Sequence, residues 1–510
     1  MPLPPRKLGL AAAFAGLAIA CALPIPTADA FVSSLTVTST QHGRPRARGW
    51  LGLALEYRSI PVLAGGTTAA GVDPVLVALV RSLDPDGGTV LRIGGQSGDR
   101  SWWPVPGMRR PLGITYDLTP SWVASAGALT QALGAHLILG VGLEANRPRI
   151  DALESRRLID GLGARQIEAL ELGNEPLLYS QVPWYRLRHG APVPWYSRVG
   201  APVYARGQGY GIKDYLRDWS RALAVLPPVP IAGPDGGDVS LLDGFDALLS
   251  PRSRVRVVTW HEYALSQCDT DPASTGYPSV PDLLTLVASR TVLGDVGPTI
   301  ALAHRDGARF RVDEMGSISC NGRAGVSDTL ASALWLLDAL FYDFDAGVDG
   351  VNLHTYTNSV NDLFEFARRG GRWQATVAPL YYGALMFAQA APPGSRLLAI
   401  RAPGQGRLRA WATLAPDHRV RVLLIDDSLT RSALALVRVP GHAGAGTVER
   451  LRAGSAYATT GVTLGGKSFG TVTTTGLLAA PAAQTVRSRG AGATYAVTLP
   501  ARSAALLTLD

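Results

Sequence analysis

The stretch Leu170-Glu171-Leu172-Gly173-Asn174-Glu175-Pro176-Leu177 ends a short apolar run in an amide, a carboxylate and a proline. Proline has no N–H to give a sheet ladder, so Asn174 and Glu175 leave a buried strand together. A second acid stands in the same setting downstream, in Phe310-Arg311-Val312-Asp313-Glu314-Met315. Any single glutamate after a strand reads as easily as a solvated loop charge. Two of them, ending two different strands with Asn174 beside the first, match what glycosidic-bond cleavage requires: one carboxyl to give a proton and one carboxylate to attack.

Apolar runs like these recur on both sides. Strands are expected at Trp50–Glu56, Val90–Ile93, His136–Val141, Ala169–Gly173, Pro230–Gly233, Val255–His261, Arg309–Asp313 and Gly350–His354. Helical patterns lie between them. Asp73-Pro74 opens Val75–Leu83 and Thr119-Pro120 opens Ser121–Leu133, each a capping side chain followed by proline at the first helical position. Gly211–Leu226, Ser240–Leu249 and Ser327–Phe344 carry apolar residues at three- and four-residue spacing. Eight strand–helix units predict a (β/α)8 TIM barrel over residues 47–390. A doubly wound open sheet is the alternative, but its informative polar residues would gather at one crossover rather than after many strands.

Beyond Ala390 the texture changes to short alternating strands separated by Gly, Pro and Asp. Arg396–Ile400, Arg407–Thr413, Val420–Ile425, Ala433–Val439, Thr447–Arg452, Thr494–Leu499 and Ala504–Leu509 predict an antiparallel β-sandwich over residues 391–510. Phe31–Thr40 is strand-like yet precedes the barrel. Residues 31–46 are therefore expected to join the sandwich and make it discontinuous.

The chain has 510 residues, 47% hydrophobic and 17% charged, a globular composition long enough for two domains. Arg6 and Lys7 precede the apolar stretch Leu8–Leu23, and Ala28-Asp29-Ala30 follows, which predicts a cleaved signal peptide over residues 1–30. A secreted, periplasmic or extracellular location follows. Cys21 is a poor match to a lipoprotein site, and no later run reaches the roughly 18–20 apolar residues of a membrane span. Cys268 and Cys320 are then the remaining pair: a disulfide between neighbouring loops in an exported protein, or two free thiols. The formal charge of +8 is carried almost wholly by arginine, since lysine occurs only at 7, 213 and 467. It suits a polyanionic partner such as an acidic polysaccharide, or reflects arginine codon preference. Basic-aromatic interleaving of nucleic-acid type is absent, so no nucleic acid is expected.

A local repeat follows Glu175: Val182-Pro-Trp-Tyr-Arg and Val193-Pro-Trp-Tyr-Ser each run on to Gly-Ala-Pro. Such a long loop overhangs the catalytic face of a barrel. Its aromatics stack on sugar rings and its arginines hold a carboxylate, or they only pin the loop to the rim. Glu175 follows strand four and Glu314 strand seven. These strands face each other across the mouth, so the carboxyl groups are expected to approach to about 5–5.5 Å, the retaining separation. Other chemistries lack their motifs. His261-Glu262 has no second histidine four residues on, no Gly-x-Ser-x-Gly elbow is present, and Gly94–Gly98 is not a phosphate loop. No cofactor or metal is expected.

Asn174-Glu175-Pro176 together with Glu314 resembles clan A of the glycoside hydrolases. Leu91-Arg92-Ile93-Gly94-Gly95-Gln96-Ser97-Gly98-Asp99-Arg100-Ser101-Trp102-Trp103 and Asp313-Glu314-Met315-Gly316-Ser317-Ile318-Ser319-Cys320-Asn321-Gly322 are more specific, and resemble family 79, the β-glucuronidase and heparanase family. Leu499–Leu509 resembles the last strand of that family's β-domain. The likeness spans essentially the whole chain after residue 30 and is weakest over Trp184–Tyr210. It implies a retaining exo-acting β-glucuronidase with Glu175 as general acid/base and Glu314 as nucleophile. Asn174 would bind the sugar 2-hydroxyl. Arg92 would keep the nucleophile ionised, and Tyr263 would donate to it, with His261 on the same side of its strand. Glu56 and Asp99 would bind sugar hydroxyls. Ser319, Asn321 and Gly322 would meet the uronate carboxylate, and His354 and Thr355 are weaker candidates. Two alternatives stay open: an endo-acting, heparanase-like enzyme, and a non-catalytic carbohydrate-binding protein on a barrel scaffold.

Overall fold

The computed structural model describes residues 30–290, 293–402, 408–480, 482–490 and 493–510. Apart from Ala30, the signal peptide expected over residues 1–30, with Cys21, lies outside the described residues. Eight parallel strands close into a barrel: Leu51–Glu56, Val90–Gly94, His136–Val141, Ile167–Leu172, Ile231–Gly233, Val255–Ser266, Arg309–Ser319 and Gly350–His354. Side-chain alternation sorts each strand into two faces. Leu91, Ile93, Leu137, Leu139, Leu170 and Leu172 face outward into the main core with the helices. Val90, Ile138, Ala169, Ala232 and Val257 form a small apolar cluster of their own inside the barrel. Polar side chains fill the rest of the interior: Arg311 bonds Asn352, whose amide donates to the Leu53 and Val90 carbonyls at 2.8 Å.

The caps read from sequence form as expected. Asp73 accepts from the Val75 N–H at 2.8 Å and Thr119 from the Trp122 N–H at 3.2 Å, each ahead of an N-terminal proline. Two strands run further than expected. The sixth continues past His261 to Ser266 and the seventh past Asp313 to Ser319, because they keep pairing above the barrel, Leu265 opposite Ile318 and Ser266 opposite Ser319. Glu314 thus lies within its strand rather than after it. Just beyond this ribbon Cys268 and Cys320 are disulfide-bonded.

The second layer is a ten-stranded sheet that curls into a sandwich. Phe31–His42 enters its middle, antiparallel to Arg396–Arg401. Its other neighbour, Ala433–Arg438, runs parallel to it, so the sandwich is not antiparallel throughout. A strand arriving from before the barrel is free of hairpin geometry and takes either direction. One face of the sandwich buries Leu35, Val37, Val422, Leu424, Val497 and Leu507. Leu423, Ile425, Ala504 and Leu506 from the opposite face join the barrel core. Trp411 stacks on Phe341 at 5.5 Å and Arg409 pairs with Asp338 and Asp427, so the two layers are tightly joined.

Candidate active site

Alternation places Arg92, Glu171 and His261 on the inward faces of strands two, four and six, above the apolar plug. Arg92 is fully buried and is the hub. Its Nε donates to Glu171 at 2.8 Å, Nη1 to Glu314 at 2.7 Å, and Nη2 to Asp235 at 2.6 Å and Asn174 Oδ1 at 3.0 Å. Asp313 lies 3.6 Å from Nε. One residue more on strand seven than on its neighbours brings Asp313 and Glu314 to the same center: Trp260 pairs with Val312, but His261 pairs with Glu314. Val351 likewise faces Val312 and Leu353 faces Met315. This is a β-bulge, which re-aims side chains beside functional sites.

Glu314 is held in a cage of donors. Tyr263 donates its hydroxyl to Oε1 at 2.8 Å, and His354 Nδ1 lies 3.1 Å from the same oxygen. Burial alone would raise its pKa, but His354, His261 and Arg92 outweigh burial and hold the carboxyl well below the usual range. Burial would likewise lower His354, yet Glu314 and Glu56 push it up to about 9. Glu314 is therefore an ionised carboxylate with only 8% of its side-chain surface exposed.

Glu175 is the outer carboxyl, with 36% of its side chain exposed. It is reached through a tight turn. Gly173 has φ +84°, and a Cβ there would lie 2.5 Å from the Tyr179 hydroxyl, so only glycine fits. Glu175 itself sits at φ +46°, its N–H bonded to the Asp235 carbonyl at 2.8 Å. His261 reaches Glu175 through Nδ1 at 3.2 Å and Asp235 through Nε2 at 2.6 Å. Although burial opposes it, the charges of Glu314, Asp235 and Glu175 hold His261 well above its ordinary pKa, so both ring nitrogens donate. Asp235 thus braces Arg92, His261 and the Glu175 backbone at once.

The remaining expected residues divide. Glu56 is partly exposed at the mouth, accepts from the Ser97 N–H at 2.8 Å and lies 3.5 Å from His354. Asp99 does not line the site. Its Oδ1 accepts from the Leu143 and Glu144 N–H groups, and its Oδ2 from the Asn174 N–H and Tyr179 hydroxyl. It is a buried brace for Asn174, with its acceptors taken. Asn174 accepts from Arg92 through its carbonyl oxygen at 3.0 Å. Ser319 ends the extended seventh strand opposite Ser266. Cys320, Asn321 and Gly322 follow at φ +58°, +75° and +76°, and the Asn321 and Gly322 N–H groups have no acceptor among the described residues. Tyr356 donates to Asn321 Oδ1 at 2.9 Å. Thr355 is buried and donates to Asp362 at 3.0 Å.

Asp235 and Glu171 were missed by sequence reasoning. Asp235 sits in Pro234-Asp235-Gly236-Gly237, which looks like a plain turn; its signal was its place at the C-terminal end of a barrel strand. Asp235, His261 and Asp313 offer ligand atoms within 4.8 Å of one another. Arg92 and the His261 cation already neutralise that cluster, and burial with Glu171 and Asp235 holds Asp313 well above the carboxylate range. The three side chains pack around Arg92, with Asp313 3.6 Å from its Nε and 4.0 Å from His261 Nε2.

No protein-family model and no curated protein matches the chain. Solved structures do match, across nearly its full length. A 4-O-α-L-rhamnosyl-β-D-glucuronidase from Fusarium oxysporum is 16% identical, with a TM-score of 0.65 over 93% of this chain and 100% of that one. A GH51 arabinofuranosidase from Xanthomonas axonopodis pv. citri is 16% identical, at 0.64 over 94% and 99%. An α-L-arabinofuranosidase from Thermotoga maritima is 13% identical, at 0.62 over 93% and 99%. At these identities the likeness is one of fold: a TIM barrel carrying a β-sandwich.

Proposed function

We propose that this protein is a retaining, exo-acting β-glucuronidase, with Glu314 as nucleophile and Glu175 as general acid/base. The observation that carries this reading is the asymmetry between the two carboxyls. Glu314 is buried and kept ionised by Arg92, His354 and Tyr263, as an attacking carboxylate must be. Glu175 is the more exposed, where it can exchange protons with water. In the first step a Glu314 oxygen bonds to the anomeric carbon while the glycosidic C–O bond breaks and Glu175 gives its proton to the departing oxygen. In the second step Glu175 takes a proton from water, whose oxygen replaces Glu314 at the same carbon. His261 holds Glu175 in place and stabilises its anion between the steps. Asn174, whose carbonyl oxygen is held by Arg92, would offer its NH2 to the 2-hydroxyl.

The uronic acid assignment rests on the resemblance of Arg92–Trp103 and Glu314–Gly322 to the glucuronidase family. The Asn321 and Gly322 N–H groups, which have no acceptor among the described residues, and the cationic His354, whose ring meets Tyr356, the donor to Asn321, support a carboxylate there. The glucuronidase among the fold neighbours is consistent with it. Exo action is the reading we attach to the segment after Glu175, where Tyr185–Arg188, Ala191–Val193 and Ala201–Val203 pair into a small sheet that would close one side of the cleft. The test compares chromophore release from aryl β-glucuronide, β-glucoside and β-xyloside. Preference for glucuronide supports the proposal. Preference for a neutral sugar removes the uronic acid and keeps the hydrolase, and binding without turnover from acidic to neutral pH favours a carbohydrate-binding protein.

A further inference from the structure

The segments that follow the second, third and fourth barrel strands line an open cavity of about 680 Å³ on the barrel's C-terminal side. Met108 and Arg109 come from the first of these segments, Arg147 and Arg149 from the second, Trp184 and Tyr185 from the third. The reaction proposed above uses none of them. Cavities of roughly 300–1,000 Å³ are the size that holds a small ligand.

Its charge is one-sided. No Asp or Glu lines it, and none of the three guanidinium groups pairs with a carboxylate among the described residues. Arg147 and Arg149 flank Pro148 at the start of the helix Pro148–Leu162, whose amino-terminal partial charge adds to theirs. The floor is apolar, with Met108 and Trp184 packed on Trp102, Val105, Ile114 and Ile150. Trp184 is firmly seated: Arg100 donates to its carbonyl at 2.7 Å, and its ring lies where a Gly113 side chain would be. Its buried indole N–H has no acceptor among the described residues.

Unpaired guanidinium forks suit carboxylate or sulfate, and an indole face suits the apolar face of a sugar ring. We infer that this cavity is a second carbohydrate subsite, which takes an anionic sugar residue of a polymer whose terminal residue occupies the catalytic center. The link to a polymer substrate rests on the glucuronidase reading; the positive field does not.

The test uses the full chain carrying Glu314→Gln, so that ligand is bound and not consumed. Calorimetry measures affinity for a hyaluronan hexasaccharide (carboxylate only), a heparan sulfate hexasaccharide (carboxylate and sulfate) and neutral xylohexaose, at low and high salt. Adding Arg109→Gln, Arg147→Gln and Arg149→Gln together should weaken acidic hexasaccharide binding at least tenfold and flatten its salt dependence. The arm that loses more names the anion. In the otherwise native enzyme the same three changes should leave turnover of a small aryl glucuronide and the melting temperature unchanged. Equal acidic binding with and without the arginines overturns the subsite, as does xylohexaose binding as tight as that of the acidic ligands. Arginine-dependent binding by a protein that turns over no glucuronide would sink the activity proposed above and leave an anionic glycan site standing.

Discussion

Replacing Arg92 by methionine removes the one guanidinium that touches Glu171, Asp235, Asp313 and Glu314 while keeping most of its volume. All five side chains are buried. Taking one partner from a buried ion pair costs about 3–5 kcal/mol, because the other charge stays behind without compensation. At about 2–4 °C per kcal/mol for a large domain, the melting temperature should fall by roughly 6–20 °C. The loss should also depend on pH in a definite direction. Burial already holds Glu171 and Asp313 above the usual carboxylate range, and Arg92 is among the cations that restrain them. Without it their folded-state pKa values rise further above the unfolded ones. A group so raised gives stability that is full below its unfolded pKa and is lost as pH climbs through the folded one. The gap between parent and Arg92→Met should therefore be small near pH 4.5 and large near pH 8, as read by thermal melts at matched ionic strength. Arg92→Lys should close part of the gap, restoring a charge but not the fork. A gap that is equal at both pH values, or larger in acid, would refute the charge network as the source of the loss.

Further outcomes follow from the same geometry. Glu314→Gln should lose turnover of every substrate. Glu175→Ala should lose about 10²–10⁴-fold on poor leaving groups, yet be rescued by azide on an activated aryl glucuronide with a β-configured product; an α-azide would reverse the assigned roles. His354→Gln removes a cation from Glu314 and should move the acid limb of the kcat/KM profile upward in pH, and an unmoved limb would show that His354 does not hold the carboxylate ionised. Cys268 and Cys320 close a loop with a sequence separation of 52, for which chain entropy gives about 4 kcal/mol. The double serine variant should melt correspondingly earlier, with KM for glucuronide rising more than kcat falls, because the bond adjoins the Asn321–Gly322 loop.

The barrel was legible because each strand carries its apolar residues where closure needs them, from Leu51–Glu56 to Gly350–His354. The polar center was only half legible. Arg92, Asn174, His261 and Tyr263 stand in or beside strands whose alternation aims them inward. Asp235 was hidden in a Pro-Asp-Gly-Gly turn, and Glu171 inside an apolar run that shows nothing of what it faces. Asp99 was misread for the opposite reason: a polar residue in a matching motif looks like a ligand contact until its four internal donors are seen. The extensions of strands six and seven were invisible because they depend on each other, and long-range pairing leaves no local mark.

The bulge on strand seven shows why the nucleophile's position cannot be read from alternation alone. In a regular strand Asp313 and Glu314 would point to opposite faces, and Glu314 would meet the helices if Asp313 met Arg92. The extra residue lets both turn inward, so Asp313 stays beneath with Glu171 while Glu314 rises to Tyr263 and His354. The two acids then differ in environment more than in position. Burial beside Glu171 and Asp235 holds Asp313 far above its ordinary pKa, while His354, His261 and Arg92 hold Glu314 well below its own against the same burial. Divergent pKa values in adjacent carboxyls are how one center holds a neutral brace and a charged nucleophile together. Deleting the bulge residue Asp313 should therefore abolish turnover more completely than Asp313→Asn, which keeps the register and a neutral side chain. Equal activity in the two variants would show that the bulge does not aim Glu314.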